Sequence, residues 1–570
     1  MPVAVVGSHV LVASVVHSFV LLSIAGLHRL LPNKWLGAIL IGAWAFIVLF
    51  FYLLIAGSMH YWGDIITLKI LASYFHGFKG FLHSMPFDYG QLVLAILAFT
   101  ALPFIIAFYF SKCISIALHD FWQCLIIYKR LFIGLIVVLV ISSPLLLRVK
   151  RIIHKQGEPV MVMLFDHIWG VIDNPLFSAQ RIQVGFEDAT IRKDYKAVTH
   201  LFRRKNVVLI IVDALRADHL SAYGYSRKTS PYIDSLVHSG KATVVKRCYS
   251  TCACTLCGVP SILLSRTWQS CAINGFNLIG LLHDQGYPTY ALISGAHHDW
   301  YNLAKFYSDD CSLYFDGKQS SRYYFKDDRL LLEGLEKVNL YRDTASFFYF
   351  HLQSAHETGL LQDQYAVYKP FKKSLTTQGM NGEAAINEYD NKVLQADDII
   401  RQLMAALGDK GYLKNSLVII TADHGQGLGE HGVAGHVDWL YDPQVSVPLI
   451  IYDDSLAAYQ NLAFARQIDI APTIIARLGL PIPSSWMGLP LTQPKIATYS
   501  YHETGKNGLE THEEKRMIVE YADTAIYKYI YTTDHSHEEL YEVVNDPEEK
   551  TNIAPTRVDV LQRMRNQSSH

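Results

Sequence analysis

The sequence predicts an α-helical membrane domain at the front of the chain, followed by an α/β domain whose active site lies at the carboxyl ends of its strands. Three observations carry this. Hydrophobic residues make up 51% of the chain and charged residues only 18%, with the apolar excess concentrated before residue 148. From Asn206 onward short apolar runs alternate with helical patterns, the signature of helices packed on both faces of a sheet. Two of those runs end in metal-type ligands: VVLIIV stops at Asp213, and LVIITA stops at Asp423–His424. A net charge of −1 gives no reason to expect a nucleic-acid partner.

Taken in order, Val10–Leu31, Trp35–Ala56, Gln91–Phe110 and Leu131–Leu147 are each near the length needed to cross about 30 Å of hydrocarbon, the last only barely. The first lacks the basic start of a signal peptide and is followed by further spans. Ile114–Tyr128 is short and contains Asp120, and reads as an interfacial helix. Arg29 and Lys34, then Lys112, Lys129 and Arg130, place two loops in the cytoplasm, so everything after Leu147 lies outside. The Arg148, Lys150, Arg151 cluster opposes that orientation, but long domains translocate largely regardless of such charges. The domain boundaries follow: 1–148 membrane domain, 149–203 a linker with amphipathic helices along the bilayer, 204–500 the catalytic domain, and 501–570 a C-terminal subdomain of shorter strands.

Within the α/β part the strand candidates are Val207–Val212, Thr289–Ser294, Ser346–Leu352, Leu417–Thr421 and Val447–Tyr452. The helix candidates are Tyr232–Ser239, Ile279–Gln285, Ala384–Leu407 and Ile468–Arg477. Six of the eight cysteines fall in this part, which in an exported domain suggests up to three disulfides of undetermined pairing. Their C-x3-C-x-C-x2-C spacing fits no familiar zinc finger.

Asp213 and the Asp423–His424 pair suit Zn²⁺ or Mn²⁺. Asp213 alone reads equally well as a helix N-cap, and the second ligand pair tips it towards the metal. The run STCACTLCGVPSILLS places hydroxyls and thiols just ahead of an apolar helix, whose positive end and a nearby cation would sharpen a nucleophile. On residue chemistry alone, Ser250, Thr251 and Thr255 read equally well as loop and capping residues. His356 and His436 could hold a phosphate or protonate a leaving group. His297, His298, His431 and His535 carry less weight in a chain with 25 histidines.

Together these segments resemble the alkaline phosphatase superfamily, sulfatase branch. VDALRADHLSAYGY with TSPYIDSLVHSG is similar to its opening, TADHGQGLGEHG to its second metal motif, and ELYEVVNDPEEKTNIA to its ending. The resemblance spans Asn206 to Ala554 and implies a mixed central sheet with a small C-terminal antiparallel sheet. Hydrolytic sulfatases carry C-x-P-x-R, whose cysteine becomes formylglycine; here Cys257 is followed by Gly-Val-Pro-Ser-Ile, with the proline one position late and no arginine. TLCGVP is closer to the T-x-x-S-V-P run of membrane-bound phosphoethanolamine transferases, with Gly258 in place of the serine. That likeness makes Thr255 the nucleophile and a metal ligand, beside Asp213, Asp423 and His424. It gives His436, thirteen residues after Asp423, a substrate role. His356, in A-H-E-T, matches the family's S-H-G-P histidine more loosely.

The front of the chain is also similar to lipoteichoic-acid-synthase-type phosphoglycerol transferases. The implied activity moves a phospho-alcohol from a phospholipid donor to a glycolipid or glycan acceptor through phospho-threonine, with Zn²⁺ or Mn²⁺ as cofactor. It would run in a monomer in the bacterial inner membrane, with the catalytic domain on the periplasmic or extracellular side. A membrane-anchored sulfatase or phosphodiesterase is the first alternative. A non-catalytic envelope regulator of lipopolysaccharide synthesis is the second, and the intact ligand set argues against it.

Overall fold

The computed structural model describes residues 17, 20–31, 33–62, 89–127, 179–196 and 203–568, apart from 300–301, 372–381, 460–461, 463, 494–498, 505–513 and 523–524. The Leu131–Leu147 span, the start of the first span, the basic cluster after it and the linker up to residue 178 lie outside the described residues.

The chain divides into two compact units. In the first, the described helices are Val20–Leu30, Lys34–Trp62, Tyr89–Tyr109 and Ser111–Ile127. Among the described residues one helix, over Lys34–Ala56, is by itself long and apolar enough to cross a bilayer; Leu97–Tyr109 and Ser111–Cys124 meet the same test only as a pair bent by 71°. The segment expected to lie at the interface is thus a helix running on from its predecessor after a sharp turn at Phe110.

The second unit is built on a seven-stranded sheet. Its strand order is Ala242–Val244, Leu449–Tyr452, Ser416–Ala422, Asn206–Val212, Phe347–Leu352, Thr289–Ile293, Leu313–Asp316. The last five are mutually parallel, and Leu449–Tyr452 runs antiparallel to both its neighbours, so the sheet is mixed. Asn206–Val212 and Ser416–Ala422 are buried at every position. Continuous apolar runs rather than alternating ones are what a parallel sheet covered on both faces demands. The Val447–Tyr452 expectation resolves into two strands, Ser446–Val447 and Leu449–Tyr452, because Pro448 has no N–H to give to a ladder.

Helices pack in two groups. Glu383–Asp409 lies against Pro231–His238 and Leu330–Glu336, and Thr255–Leu264 lies against Leu278–Asp284 and Ile470–Leu478. Asp397 of the long helix accepts hydrogen bonds from the Tyr232 and Ile233 amides at the start of Pro231–His238, at 2.7 and 3.0 Å. That satisfies two of the amides a helix N-terminus leaves open.

Four antiparallel strands, Tyr499–Glu503, Lys515–Tyr521, Ile526–Thr532 and Glu538–Glu542, form the C-terminal sheet. Its residues alternate between faces. Met517 and Val519 pack with Tyr249, Leu440, Tyr441 and Val445 of the catalytic part. Ile518 packs on the other side with Val560, Leu561 and Met564 of the helix Val558–Gln567. The helix Ala179–Lys196, in the stretch read as linker, is tied to the catalytic part. Arg192 pairs with Asp284 and Asp310 at 2.6 and 2.7 Å, and Asp188 pairs with Arg266 at 2.7 Å.

Candidate active site

Strand register assembles the site. Val212 is level with both Leu352 and Ala422 on its two parallel neighbours. The next residue on each strand is therefore Asp213, Gln353 or Asp423, and three polar side chains emerge together at the carboxyl edge. Gln353 Nε2 donates to Asp213 Oδ2. The amides of Ala214 and His424 donate to Asp423 Oδ1 at 3.2 and 2.9 Å. Asp423 Oδ2 is buried with no hydrogen-bond partner.

Asp213 is not a helix N-cap. It is followed by a turn through Ala214 at φ 61°, a left-handed backbone that an alanine adopts only when its surroundings impose it. Tyr389 holds that turn from the long helix, donating its hydroxyl to the Ala214 carbonyl and accepting from the Arg216 amide.

Thr255 is the first residue of the helix Thr255–Leu264, and Cys254 at the cap position makes no side-chain capping bond. The Thr255 hydroxyl lies 3.1 Å from His424 Nε2 and 3.5 Å from Asp213 Oδ1. His424 Nδ1 donates to the Gly425 carbonyl at 2.8 Å, which fixes the tautomer and turns the Nε2 lone pair to the cluster. Ligand atoms of Asp213, Asp423 and His424 all fall within 4.8 Å of one another. His424 Nε2 stands 3.4 Å from Asp213 Oδ1 and 3.7 Å from Asp423 Oδ2, close to the edge length of a tetrahedron with bonds of about 2.1 Å. Two buried carboxylates side by side repel. Burial, then Asp423 and Glu357, push the Asp213 carboxyl well above its ordinary range. An orphaned carboxylate oxygen, a correctly tautomerised imidazole and a second carboxylate are the donor set of a divalent cation, and the residues fit one.

Gly258 explains how the helix comes so near. A Cβ there would stand 2.6 Å from the Asp423 carbonyl oxygen and 3.1 Å from the Asp423 side chain. The position that carries serine in the transferase motif has no room for a side chain in this chain.

His356, Glu357 and His436 form a second cluster whose ligand atoms also lie within 4.8 Å. The His436 ring stacks on His424 at 4.4 Å and meets His356 at 5.2 Å. His436 Nδ1 bonds to Gln426 Oε1 at 2.8 Å, and Glu357 Oε2 is buried with no partner. Burial holds His356 and His436 well below the usual imidazole value, so both are neutral near pH 7. Val437 at φ 94° is strained for a β-branched residue, and its amide bond to the Ala253 carbonyl at 2.8 Å fixes His436 beside the loop that carries Thr255.

Residue patterns missed four neighbours. Lys326 is buried, bonds to Thr358 beside His356, and is brought by burial to a pKa of about 8. Glu357 adds an acid to the histidine pair. Gln353 orients Asp213. His351 lies 3.7 Å from Asp213 Oδ2, with the His297 ring 4.6 Å from its own. Only Gln353 and His351 had a readable signal, since both sit at the end of a predicted strand. His298, His431 and His535 lie apart from the clusters. His298 meets Tyr314, His431 stacks on Tyr441, and His535 stacks on Tyr531. Among the described residues there is one disulfide, Cys252–Cys257, where up to three were expected; Cys271 and Cys311 keep thiols.

Residues 205–480 match the family model described as Sulfatase. The Δ4,5-hexuronate-2-O-sulfatase of Bacteroides thetaiotaomicron is 27% identical over 184 residues, covering 30% of this chain and 36% of that protein. The chain spans about a third of the length of the curated relatives it matches. A protein solved with its substrate D-glucosamine-2-N,6-O-disulfate is 15% identical, with a TM-score of 0.52 over 64% of this chain and 96% of that one. The C-terminal periplasmic domain of the phosphoethanolamine transferase EptC from Campylobacter jejuni is 18% identical, with a TM-score of 0.43, covering 52% and 95%. The mixed sheet, its ligand-bearing strand ends and the family match over 205–480 agree: this chain carries a sulfatase-family domain with the alkaline phosphatase-like fold.

Proposed function

We propose that the chain is a membrane-anchored phospho-alcohol transferase that takes phosphoethanolamine or phosphoglycerol from a phospholipid and passes it to a glycolipid or glycan. The observation that carries this reading is the Thr255 hydroxyl, 3.1 Å from His424 Nε2 at the mouth of the Asp213–Asp423–His424 cluster. The cysteine a formylglycine hydrolase would convert is represented here only by Cys257, which is buried in a disulfide.

A divalent cation of the zinc or manganese type, held by Asp213, Asp423 and His424, would favour the alkoxide of a neighbouring hydroxyl and offset phosphate charge. Thr255 Oγ1 forms a bond to the donor phosphorus, and the bond from phosphorus to the diacylglycerol oxygen breaks. Diacylglycerol departs as the alcohol after gaining a proton. The helix N-terminus beneath Thr255 faces the added negative charge. The Lys326 ammonium and the Nε2–H of the neutral His356 ring, whose Nδ1 accepts from the Thr358 amide, supply donors for phosphoryl oxygens, while His436, its one N–H given to Gln426, lines the site beside them. In the second half an acceptor oxygen attacks the same phosphorus, and the Thr255 oxygen leaves and regains its proton. The apolar helix Lys34–Ala56 supports a membrane anchor, which brings the site to an insoluble donor. The proposed setting is the bacterial inner membrane with this unit on the periplasmic or extracellular side, acting as a monomer.

A hydrolase remains as the second reading because the family match and the named relatives are sulfatases. Mass spectrometry after incubation with labelled phosphatidylethanolamine or phosphatidylglycerol separates the two. Transfer requires a phospho-alcohol adduct on Thr255 together with released diacylglycerol. Formylglycine at a cysteine, with no adduct, would overturn it.

A further inference from the structure

Asp328 is fully buried and stands outside the Asp213 and His356 clusters. Its Oδ1 accepts from the Gln353 amide at 2.7 Å, and its Oδ2 accepts from the Ser354 amide at 2.9 Å and from the Ser354 hydroxyl. Burial lifts its pKa to about 6, so it is a carboxylate near pH 7. A buried charge is costly, and these three neutral donors offset less of that cost than a cation would. The two amides belong to the residues directly after the strand Phe347–Leu352. Gln353 turns its side chain to Asp213 Oδ2, and Asp213 Oδ1 then stands 3.4 Å from His424 Nε2. One carboxylate thus fixes the backbone of the residue that orients another.

The same carboxylate joins two loops. Lys326, two residues before Asp328, accepts at its carbonyl from the Leu360 amide at 3.4 Å and bonds through Nζ to Thr358. Between Gln353 and Gly359 the chain is closed on itself. The His356 amide donates to the Gln353 carbonyl at 3.2 Å, and a Cβ on Gly359 would stand 2.7 Å from the Ser354 carbonyl oxygen. Gln395 of the long helix braces the same turn, donating to the Ser354 hydroxyl at 3.0 Å and to the Leu360 carbonyl at 2.7 Å. A turn packed this tightly passes a shift at Gln353 on to its neighbours.

We propose that Asp328 is a positioning residue of the cation site, holding Gln353 so that its side chain keeps Asp213 turned towards His424 and Asp423. The role rests on the divalent-cation reading of those three residues and is independent of which group is transferred. Without the Asp328 carboxylate, the Gln353 and Ser354 amides lose their acceptor, and Asp213 loses a firmly placed donor. Partners one step removed from a metal ligand set its orientation and typically change metal affinity by about 10–100-fold.

Zinc affinity of the full chain in detergent, read by competition with a chromogenic chelator, tests this without any lipid. The ion followed is the tight zinc that Asp423→Ala removes. Asp328→Asn and Gln353→Ala should each weaken it by about tenfold, and the double variant should lose no more than about tenfold, because both break one chain of contacts. Losses that multiply to about a hundredfold in the double variant would overturn the proposal, as would an unchanged affinity in Asp328→Asn. Should Asp328→Asn fail to fold, Asp328→Glu keeps the charge but shifts its oxygens, and the same loss and the same non-additivity are expected of it. Asp397→Ala controls for stability alone, since that carboxylate also accepts from two amides. It should lower the melting temperature and leave zinc affinity as it is; an equal loss of zinc there would count against a positioning role for Asp328. A wild-type chain with no zinc at the cluster would sink the cation reading and this role together, whereas multiplying losses sink this role alone. Failure of the transferase shows separately, as no adduct on Thr255.

Discussion

At the scale of single residues, Thr255 and Gly258 make opposite demands on the same helix turn. Thr255 needs an oxygen near His424, and Gly258 needs the absence of a side chain near Asp423. Thr255→Ala should abolish the covalent adduct and lower transfer by at least about a thousandfold while leaving the melting temperature nearly unchanged. Gly258→Ala should do the reverse in emphasis. Its methyl meets backbone at 2.6 Å, so stability should fall by about 1–3 kcal/mol, read by thermal unfolding, with activity following as the helix is pushed off Asp423. Lys326 sets an alkaline limit. Its ordinary value of 10.5 is brought down to about 8 by burial, so it is charged below that pH and neutral above it. Activity should decline as pH rises through about 8, and Lys326→Met should remove that limb from the profile along with most of the activity.

At the scale of elements, the site depends on pieces that hold one another through buried polar bonds. Asp397 caps Pro231–His238 from a different helix. Asp397→Ala would leave two amides open and should cost about 1–3 kcal/mol by denaturant titration. The helix Ala179–Lys196 is bound through charges that have few other partners, with Asp188 and Arg266 only 1% and 10% exposed at their side chains. Asp188→Ala in the full chain should destabilise the second unit by on the order of 3 kcal/mol, because it strands a buried guanidinium. An amphipathic helix in this stretch was legible, though as one lying along the bilayer surface. That its polar face meets Asp284, Asp310 and Arg266 was not, since those partners are separated from it by 78 to 118 positions along the chain.

At the scale of the whole molecule, one unit carries the apolar helices and the other the site, and the second is braced by its own C-terminal sheet. Lys528 of that sheet is buried between Asp442 and Glu549 at 2.7 and 2.6 Å, and Asp442 begins a short helix six residues after His436. His502 donates to the Ser250 carbonyl at 2.6 Å, five residues before Thr255. The terminal sheet therefore supports both loops that flank the site. Removing divalent cations with a chelator should abolish activity and lower the melting temperature, and zinc or manganese should restore both. A chelator-treated protein with full activity would exclude a cation from the reaction.

Five of the seven strands of the main sheet, the α/β class and the ligand-bearing strand ends were determined by the sequence, because each rests on local pattern; the short strands Ala242–Val244 and Leu313–Asp316 were not, and the mixed direction of the sheet came only with the family resemblance. Continuous apolar runs mark covered parallel strands, and a carboxylate or imidazole directly after such a run must emerge at the sheet edge. Asp213, Asp423 and His424 were legible for that reason, whereas Thr255 was singled out only through the resemblance to the transferase motif. The tertiary structure alone decided what surrounds them. Lys326 and Glu357 follow no periodic signal, and the pairing of Cys252 with Cys257, the empty space required at Gly258 and the stacking of His436 on His424 depend on distances between segments far apart in the chain. Local sequence sets which side chains a strand delivers; only the register between strands and the approach of one helix set which of them meet.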